Sequence, residues 1–490
     1  MATTFTEFFC DPVTSGASNL NAGTRDGINE PTAAAAFTYT NATSASSWDS
    51  STGIFTVSSG NPSTDGIVAN TDWASVYVTA GATTTGFVGL ITAVTSTTIT
   101  VSLVNKSGTA PATSSTTDTT LKVGGRWQGP NGAVGFPFNF AQGSMQNTSK
   151  NSPRINLKNN GNYAITAGMT DNQLDDTTFK ACVLFEGFTS TPGDGGKATI
   201  DGGSPTASYT MLSVSTGKNR TYRRLIFQNN CPSGGVGGSG SGRGIDISSS
   251  GEILVMECVF HDIYETGLIF NYTSSRTCAL GCEAYKCNQG NKTTTAGFRM
   301  ISSGCVAINC ISHHNDKGIN ATGFALDGGI VMIRCIAHKN AGFGASSTGD
   351  VNITIINSSF YDNSKSGILL GAGAADDSIA TLLNNAFVKN TLYGMDFGAN
   401  GTSAVTRIGK FAGSAYGSGT KANGSGNVST MRSIDDDNPI TLTADITPWV
   451  DPDNGNFTTN LSVVKGTGYG YFVRSASTFG ATVGYPDIGI

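Results

Sequence analysis

Three of the four histidines, His261, His313 and His338, share a spacing with two tyrosines, Tyr285 and Tyr361. In chain order the five positions are separated by 24, 28, 25 and 23 residues. Imidazole titrates near neutrality, donates and accepts hydrogen bonds, and ligates metals. A phenol adds an apolar ring with a polar tip. Rings at one repeat position could bind sugars, and His313 with His338 could hold a metal ion. The plainer reading is a wet, amphipathic sheet face. Asp316 and Asp362 are the carboxylates nearest in sequence.

A second set has the same rhythm: Cys258, Cys282, Cys310 and Cys335. The chain has 10 cysteines but no Cys-x-x-Cys pair, which argues against zinc. The reading is a buried stack of thiols acting as small hydrophobes. Stacking in register points the side chains the same way, so disulfides need not form. The acids do not make a catalytic pair in sequence. Asp175-Asp176, Asp376-Asp377 and Asp435-Asp436-Asp437 are adjacent, and neighbours on a strand point to opposite faces. No catalytic residue, metal or cofactor is assigned. Gly235–Gly240 formally matches G-x-G-x-x-G but lacks a strand–helix context. Asp451–Asn456 reads as a turn, its glycine misplaced for an EF-hand.

What must position these residues is a repeat. One phrase recurs as LIFQNN from Leu225, CVFHDI from Cys258, CEAYKC from Cys282 and CISHHN from Cys310. It returns as CIAHKN from Cys335, SSFYDN from Ser358 and NAFVKN from Asn385. Glycines follow at Gly244, Gly267, Gly297, Gly323, Gly342, Gly367 and Gly394, each opening a second strand-like phrase. Period-two alternation then assigns faces. Two residues before each phrase stand Met256, Leu280, Ile308, Ile333, Ile356 and Leu383, with Arg223 the one departure. Two residues into it stand Phe227, Phe260, Ala284, Ser312, Ala337, Phe360 and Phe387. Both columns are expected inside, and the ring column outside. On this assignment Ile308→Asp should abolish folding, while His313→Ala should stay within about 0.5 kcal/mol of wild type. Five residues in, Asn230, Asn315, Asn340, Asn363 and Asn390 form an asparagine ladder, broken by Ile263 and Cys287. Such amides hydrogen-bond along a stack and tolerate a left-handed bend.

Short strands stacked at a period of about 25 residues make a β-solenoid. The pattern resembles the right-handed parallel β-helix of the pectate-lyase-like superfamily, most clearly over residues 150–410. FTEFFC near the start is similar to the opening strand of such proteins. The final Pro486-Asp487-Ile488-Gly489 resembles the ending of bacterial and viral β-helix proteins. The Asn-Thr-Asp, Asp-Asp, His-Gly and Arg-x-Lys set of polygalacturonases is not found, nor a clear pectate-lyase arginine motif. Residues 38–122 differ, with short alternating strands and no cysteine. The expected organisation is all-β. Residues 1–37 form an opening strand and cap, 38–122 an inserted small β-barrel or sandwich, 123–430 the parallel β-helix and 431–490 a C-terminal β cap. Residues 109–120 read as a low-complexity flexible loop.

Composition narrows function further. Charged residues are 13% and the net charge is −5, so a basic nucleic-acid face is not expected. No apolar run reaches the 18 or so residues of a membrane span, and no secretory signal is read. Glycine, at 64 of 490 residues, suits tight stacking. Two function classes follow. One is a structural or adhesive virion surface protein, such as a phage tailspike, fibre or capsid appendage. It would be made in the host cytoplasm, meet other virion proteins and bind host surface polysaccharide. The resemblance to viral β-helix proteins implies a homotrimer. The other is an extracellular polysaccharide lyase or glycosidase, which requires carboxylates gathered on one exterior sheet.

Overall fold

A computed structural model of the chain describes residues within 5–128, 152–171, 183–232, 242–396 and 407–459. It divides into two compact units: Met1–Asp201 with Leu212–Ile226, and Gly202–Met211 with Phe227–Ile490. The described strands make three parallel sheets, and the fold is a right-handed parallel β-helix with an inserted antiparallel sheet.

In the first unit the opening strand Phe5–Cys10 pairs in parallel with Ser152–Lys158, from Phe5 opposite Ser152 to Cys10 opposite Leu157. The stretch from Phe37 to Val123 between them is an insertion into the first coil. Its seven strands form one antiparallel sheet around Trp48, Phe55, Val76, Phe87, Ile99 and Leu121. The sheet curls until its ends meet at an Asn41–Val57 bridge. Lys122 pairs inside this sheet with Ser75, and the helix backbone is regained at Trp127, bridged to Cys10. The stretch expected to be a flexible loop is pinned at Ser114, which pairs with Trp48 and whose hydroxyl bonds Asp118 at 2.5 Å.

In the second unit every coil contributes a strand to each of three sheets. The third coil of this unit shows the pattern: Cys305–Ile308 in the first sheet, Ile311–His313 in the second and Thr322–Leu326 in the third. Each pairs in parallel and in register with its counterparts in the flanking coils. The corners are fixed by two left-handed bends per coil. Arg224, Glu257, Gly281, Asn309, Arg334, Asn357 and Asn384 hold φ of 51–62° just before the repeated phrase. Asn229, Asp262, Lys286, His314, Lys339, Asp362 and Lys389 hold φ of 48–56° near its end.

These bends overturn one assigned column. Period-two alternation does not survive a left-handed residue, so the face is reset on crossing it. Met256, Leu280, Ile308 and Ile333 point outward from the first sheet and are half-buried, while Ile356 and Leu383 of the same column are buried against each other. The inward positions are their neighbours Val255, Ala279, Ala307, Met332 and Ile355, all fully buried. Arg223 is no longer an exception, because its column faces out. The second column is inside as expected, with Phe227 and Phe260 stacked at 5.6 Å and Phe360 and Phe387 at 5.3 Å.

The cysteine column is a stack of buried, free thiols at the corner between the first two sheets. Each Sγ from Cys282 onward donates to a carbonyl of the preceding coil: Cys282 to Val255 at 3.3 Å, Cys310 to Ala279 and Cys335 to Ala307, both at 3.5 Å. Burial pushes the Cys310 thiol well up, so it stays protonated. The asparagine ladder runs from Asn315 through Asn340 and Asn363 to Asn390, amide to amide at 2.8, 2.9 and 2.9 Å. Asn230 stands apart and bonds the Tyr209 carbonyl. The left-handed bend falls on the residue before each ladder asparagine, not on the asparagine itself. The stacked glycines are Gly244, Gly267, Gly297, Gly323, Gly344 and Gly367, so Gly344 replaces the expected Gly342. A Cβ on Gly344 would lie 2.5 Å from the Gly367 carbonyl oxygen, so packing rather than φ selects glycine here. Asn340→Ala would strip Asn315 of its amide acceptor inside the core. We expect a loss of about 2–4 kcal/mol, read from the urea midpoint.

Candidate functional site

Short strands of the second sheet, of three to five residues, place the rings. In Glu283-Ala284-Tyr285 the alanine is buried and the flanking side chains face out. In-register pairing then sets His261, Tyr285, His313, His338 and Tyr361 in one row. Parallel strands lie about 4.8 Å apart. The ring centroids follow: 4.8 Å from His261 to Tyr285, 5.1 Å to His313 and 4.9 Å to His338, with planes within 18° of parallel. Each inner ring therefore spends both faces on its neighbours. What the row offers outward is ring edges rather than faces. A sugar cannot lie flat on Tyr285 or His313 while the stack holds. Nor can His313 and His338 converge on one ion between them, because imidazole lone pairs lie in the ring plane. Among the described residues no cluster of three or more His, Cys, Asp and Glu is placed to hold a metal.

Carboxylates orient the ring edges. Glu283 bonds His313 Nε2 at 2.9 Å, and His313 Nδ1 meets His314 Nδ1 at 2.8 Å. The assignment that satisfies both has His313 donating through Nε2–H and accepting from His314. Asp262 bonds His261 Nδ1 at 2.7 Å. Asp316 only biases the charge of His314. His314 was one position from the expected row and was missed; its left-handed backbone turns it onto His313, at 5.0 Å edge to face.

The upper end of the row is not open, contrary to expectation. His338 is 3% exposed and Tyr361 is fully buried. They lie against a C-terminal hairpin, Trp449–Asp451 and Asn456–Thr459 around a 3-10 turn at Pro452–Asn454. Phe457 sits 5.0 Å from the His338 ring and 6.1 Å from Tyr361. Asp453 bonds Lys339 Nζ at 3.0 Å and accepts from the Tyr361 hydroxyl at 3.3 Å. Burial, with His313, His314 and Lys339 close by, presses the His338 pKa down to about 3. The unfolded imidazole takes a proton near pH 6.5 that the folded one refuses. His338 therefore draws stability away as pH falls from about 6.5 to about 3.

The first unit holds a gathering of carboxylates that the sequence did not disclose. On the outer face of its first sheet, Glu186 is 1% exposed and meets three guanidinium groups. Arg154 lies at 2.5 Å, Arg224 at 3.2 Å and Arg223 at 3.3 Å. Glu7 adds a second carboxylate, 3.5 Å from Arg154 and bonded by the Asn156 amide at 2.6 Å. Burial raises the Glu7 pKa, against the pull of Asn156 and Arg154. Arg223, the one charged residue in an aliphatic column, was the available signal. The acidic runs at Asp175, Asp376 and Asp435, the glycine-rich Gly235–Gly240 and the ending from Pro486 lie outside the described residues.

The sequence matches no family model and no curated protein. Solved structures similar in fold include the A-module of Azotobacter vinelandii mannuronan C-5 epimerase AlgE4, at 15% identity and a TM-score of 0.32 over 60% of this chain and 91% of that one. The catalytic domain of a GH87 alpha-1,3-glucanase is similar at 11% identity and a TM-score of 0.30, over 87% of this chain and 96% of that one. Tailspike protein 3 of bacteriophage CBA120 is similar at 10% identity and a TM-score of 0.24, over 60% of this chain and 57% of that one.

Proposed function

We propose that this protein is a virion surface component whose β-helix binds host polysaccharide along the outer face of its second sheet. The observation that carries the glycan reading is the uncovered part of the stack, His261–Tyr285–His313. It is a rigid row of polar ring edges at one-coil spacing, with Glu283 and Asp262 beside it. Such a row suits the regular hydroxyls of an extended saccharide, by hydrogen bonds rather than by ring stacking. Glycine-rich coils of low charge suit exposure outside a cell. The half-exposed aliphatic row Met256, Leu280, Ile308 and Ile333 is the face we assign to contact between copies in a homotrimer.

The test uses glycans from candidate hosts on an array. Glu283→Gln and His313→Ala are expected to weaken binding about tenfold, as for loss of a charge-assisted hydrogen bond. Wild-type affinity in both variants would overturn the glycan reading. Gold-labelled antibody on virus particles tests the virion reading, and label confined to free protein would sink it. A second reading, polysaccharide cleavage, is favoured by Glu7, a half-buried carboxyl with a raised pKa beside Arg154 and Asn156. On that reading cleavage activity is lost in Glu7→Gln and retained in His313→Ala.

A further inference from the structure

We propose that Lys339, Tyr361 and Lys389 form a carboxylate-binding site at the upper end of the ring row. In this reading Asp453 of the C-terminal hairpin now fills it, and an acidic saccharide takes its place on binding. The proposal rests on the glycan reading and names the chemistry of its ligand.

Asp453 is the stand-in. Its carboxylate bonds Lys339 Nζ at 3.0 Å and the Tyr361 hydroxyl at 3.3 Å. Lys339 Nζ also donates to the Asp453 carbonyl at 3.1 Å. Lys389 Nζ donates to the Tyr361 hydroxyl at 3.2 Å and lies 5.5 Å from that ring's centroid. Two donors, Lys339 Nζ and the Tyr361 hydroxyl, thus converge on one carboxylate, with Lys389 behind the hydroxyl. The charged groups facing the site are Lys339, Lys389, Asp362 and Asp453, with His314 alongside. Removing Asp453 leaves two lysines against Asp362, a balance that favours an incoming anion.

Two features mark the hairpin as a replaceable occupant. First, the Asp453 side chain is 57% exposed, and a water-screened ion pair holds weakly. Second, His338 Nδ1 is buried and has no hydrogen-bond partner. Phe457, which covers that ring, has no polar group to offer it. A saccharide would bring both a carboxylate for the lysines and hydroxyls for the imidazole. It would extend the polar row from His261–His313 onto His338.

The experiment is hydrogen exchange on the full chain, following the amides of residues 449–459. The probes are sodium glucuronate, glucose and sodium chloride at equal ionic strength. Glucuronate is expected to speed exchange of these amides about fivefold or more, with glucose and chloride doing far less. Lys339→Gln should abolish the response to glucuronate. In calorimetry Asp453→Asn should tighten binding of a glucuronate-bearing oligosaccharide by a similar factor, and leave its carboxyl-reduced form unchanged. Equal responses to glucuronate and chloride, or no gain in Asp453→Asn, would overturn the proposal. Neutral glycans that bind through Glu283 and His313 while glucuronate leaves the hairpin untouched would defeat this site alone. A glucuronate response without any polymer binding would instead defeat the glycan reading of the lower row.

Discussion

Met332→Asp is expected to stop the second unit from folding, whereas Ile333→Asp, one residue on, is expected to cost only about 1 kcal/mol. Met332 is fully buried, with Ala307 and Ile355 in register on either side. A carboxylate there has no partner and no water. Its desolvation exceeds what a single domain holds in reserve, so the loss passes about 4–5 kcal/mol. Ile333 faces out, paired with Ile308 and Ile356. An aspartate there gives up cross-strand aliphatic contact and keeps its solvation. Soluble yield and denaturant midpoints of the two variants decide the matter. The reverse ranking would return the Ile308–Ile333 column to the core, where period-two reading alone had put it.

That column shows how far the sequence could be read. The repeat, the inward phenylalanines, the thiol stack and the asparagine ladder were legible because each is a column of one residue type at a fixed step. The bends were not. A left-handed backbone is usually signalled by glycine or asparagine. Here Arg224, Glu257, Lys286, His314, Arg334, Lys339 and Lys389 adopt it. Alternation was carried across a corner that resets it. The covering of His338 and Tyr361 was hidden for another reason. It depends on Phe457 and Asp453, about a hundred residues away and outside the repeat. His313 shows the same limit: clamped between Tyr285 and His338, it should cost more on truncation than the 0.5 kcal/mol expected of a free surface side chain.

Glu186→Ala should be the most damaging change in the first unit, at about 3–5 kcal/mol. Glu186 is 1% exposed and compensates Arg154, Arg223 and Arg224 at once. Removing it leaves three guanidinium groups crowded on one sheet face, with Glu7 the remaining acid in contact with Arg154. Glu186→Gln keeps an acceptor but not the charge, and should fall between wild type and alanine. Combining Glu186→Ala with Arg223→Ala should recover part of the loss, because one excess cation goes with the acid. Denaturant titrations of the three variants check the order. If the double variant were no more stable than Glu186→Ala, the network would not be acting through charge.

The bends have one more consequence. Because they fall at the same two places in seven successive coils, the corner geometry of these coils does not depend on which of them it is. The chain can therefore change length in whole cassettes. Excising the stretch from Cys335 up to Ser358 would leave Ser312 beside Phe360 and Asn315 beside Asn363, in the register that neighbouring coils already use. Evolution can then tune the number of coils in steps of one, by duplication or loss of a short gene segment. No new interface has to be invented each time.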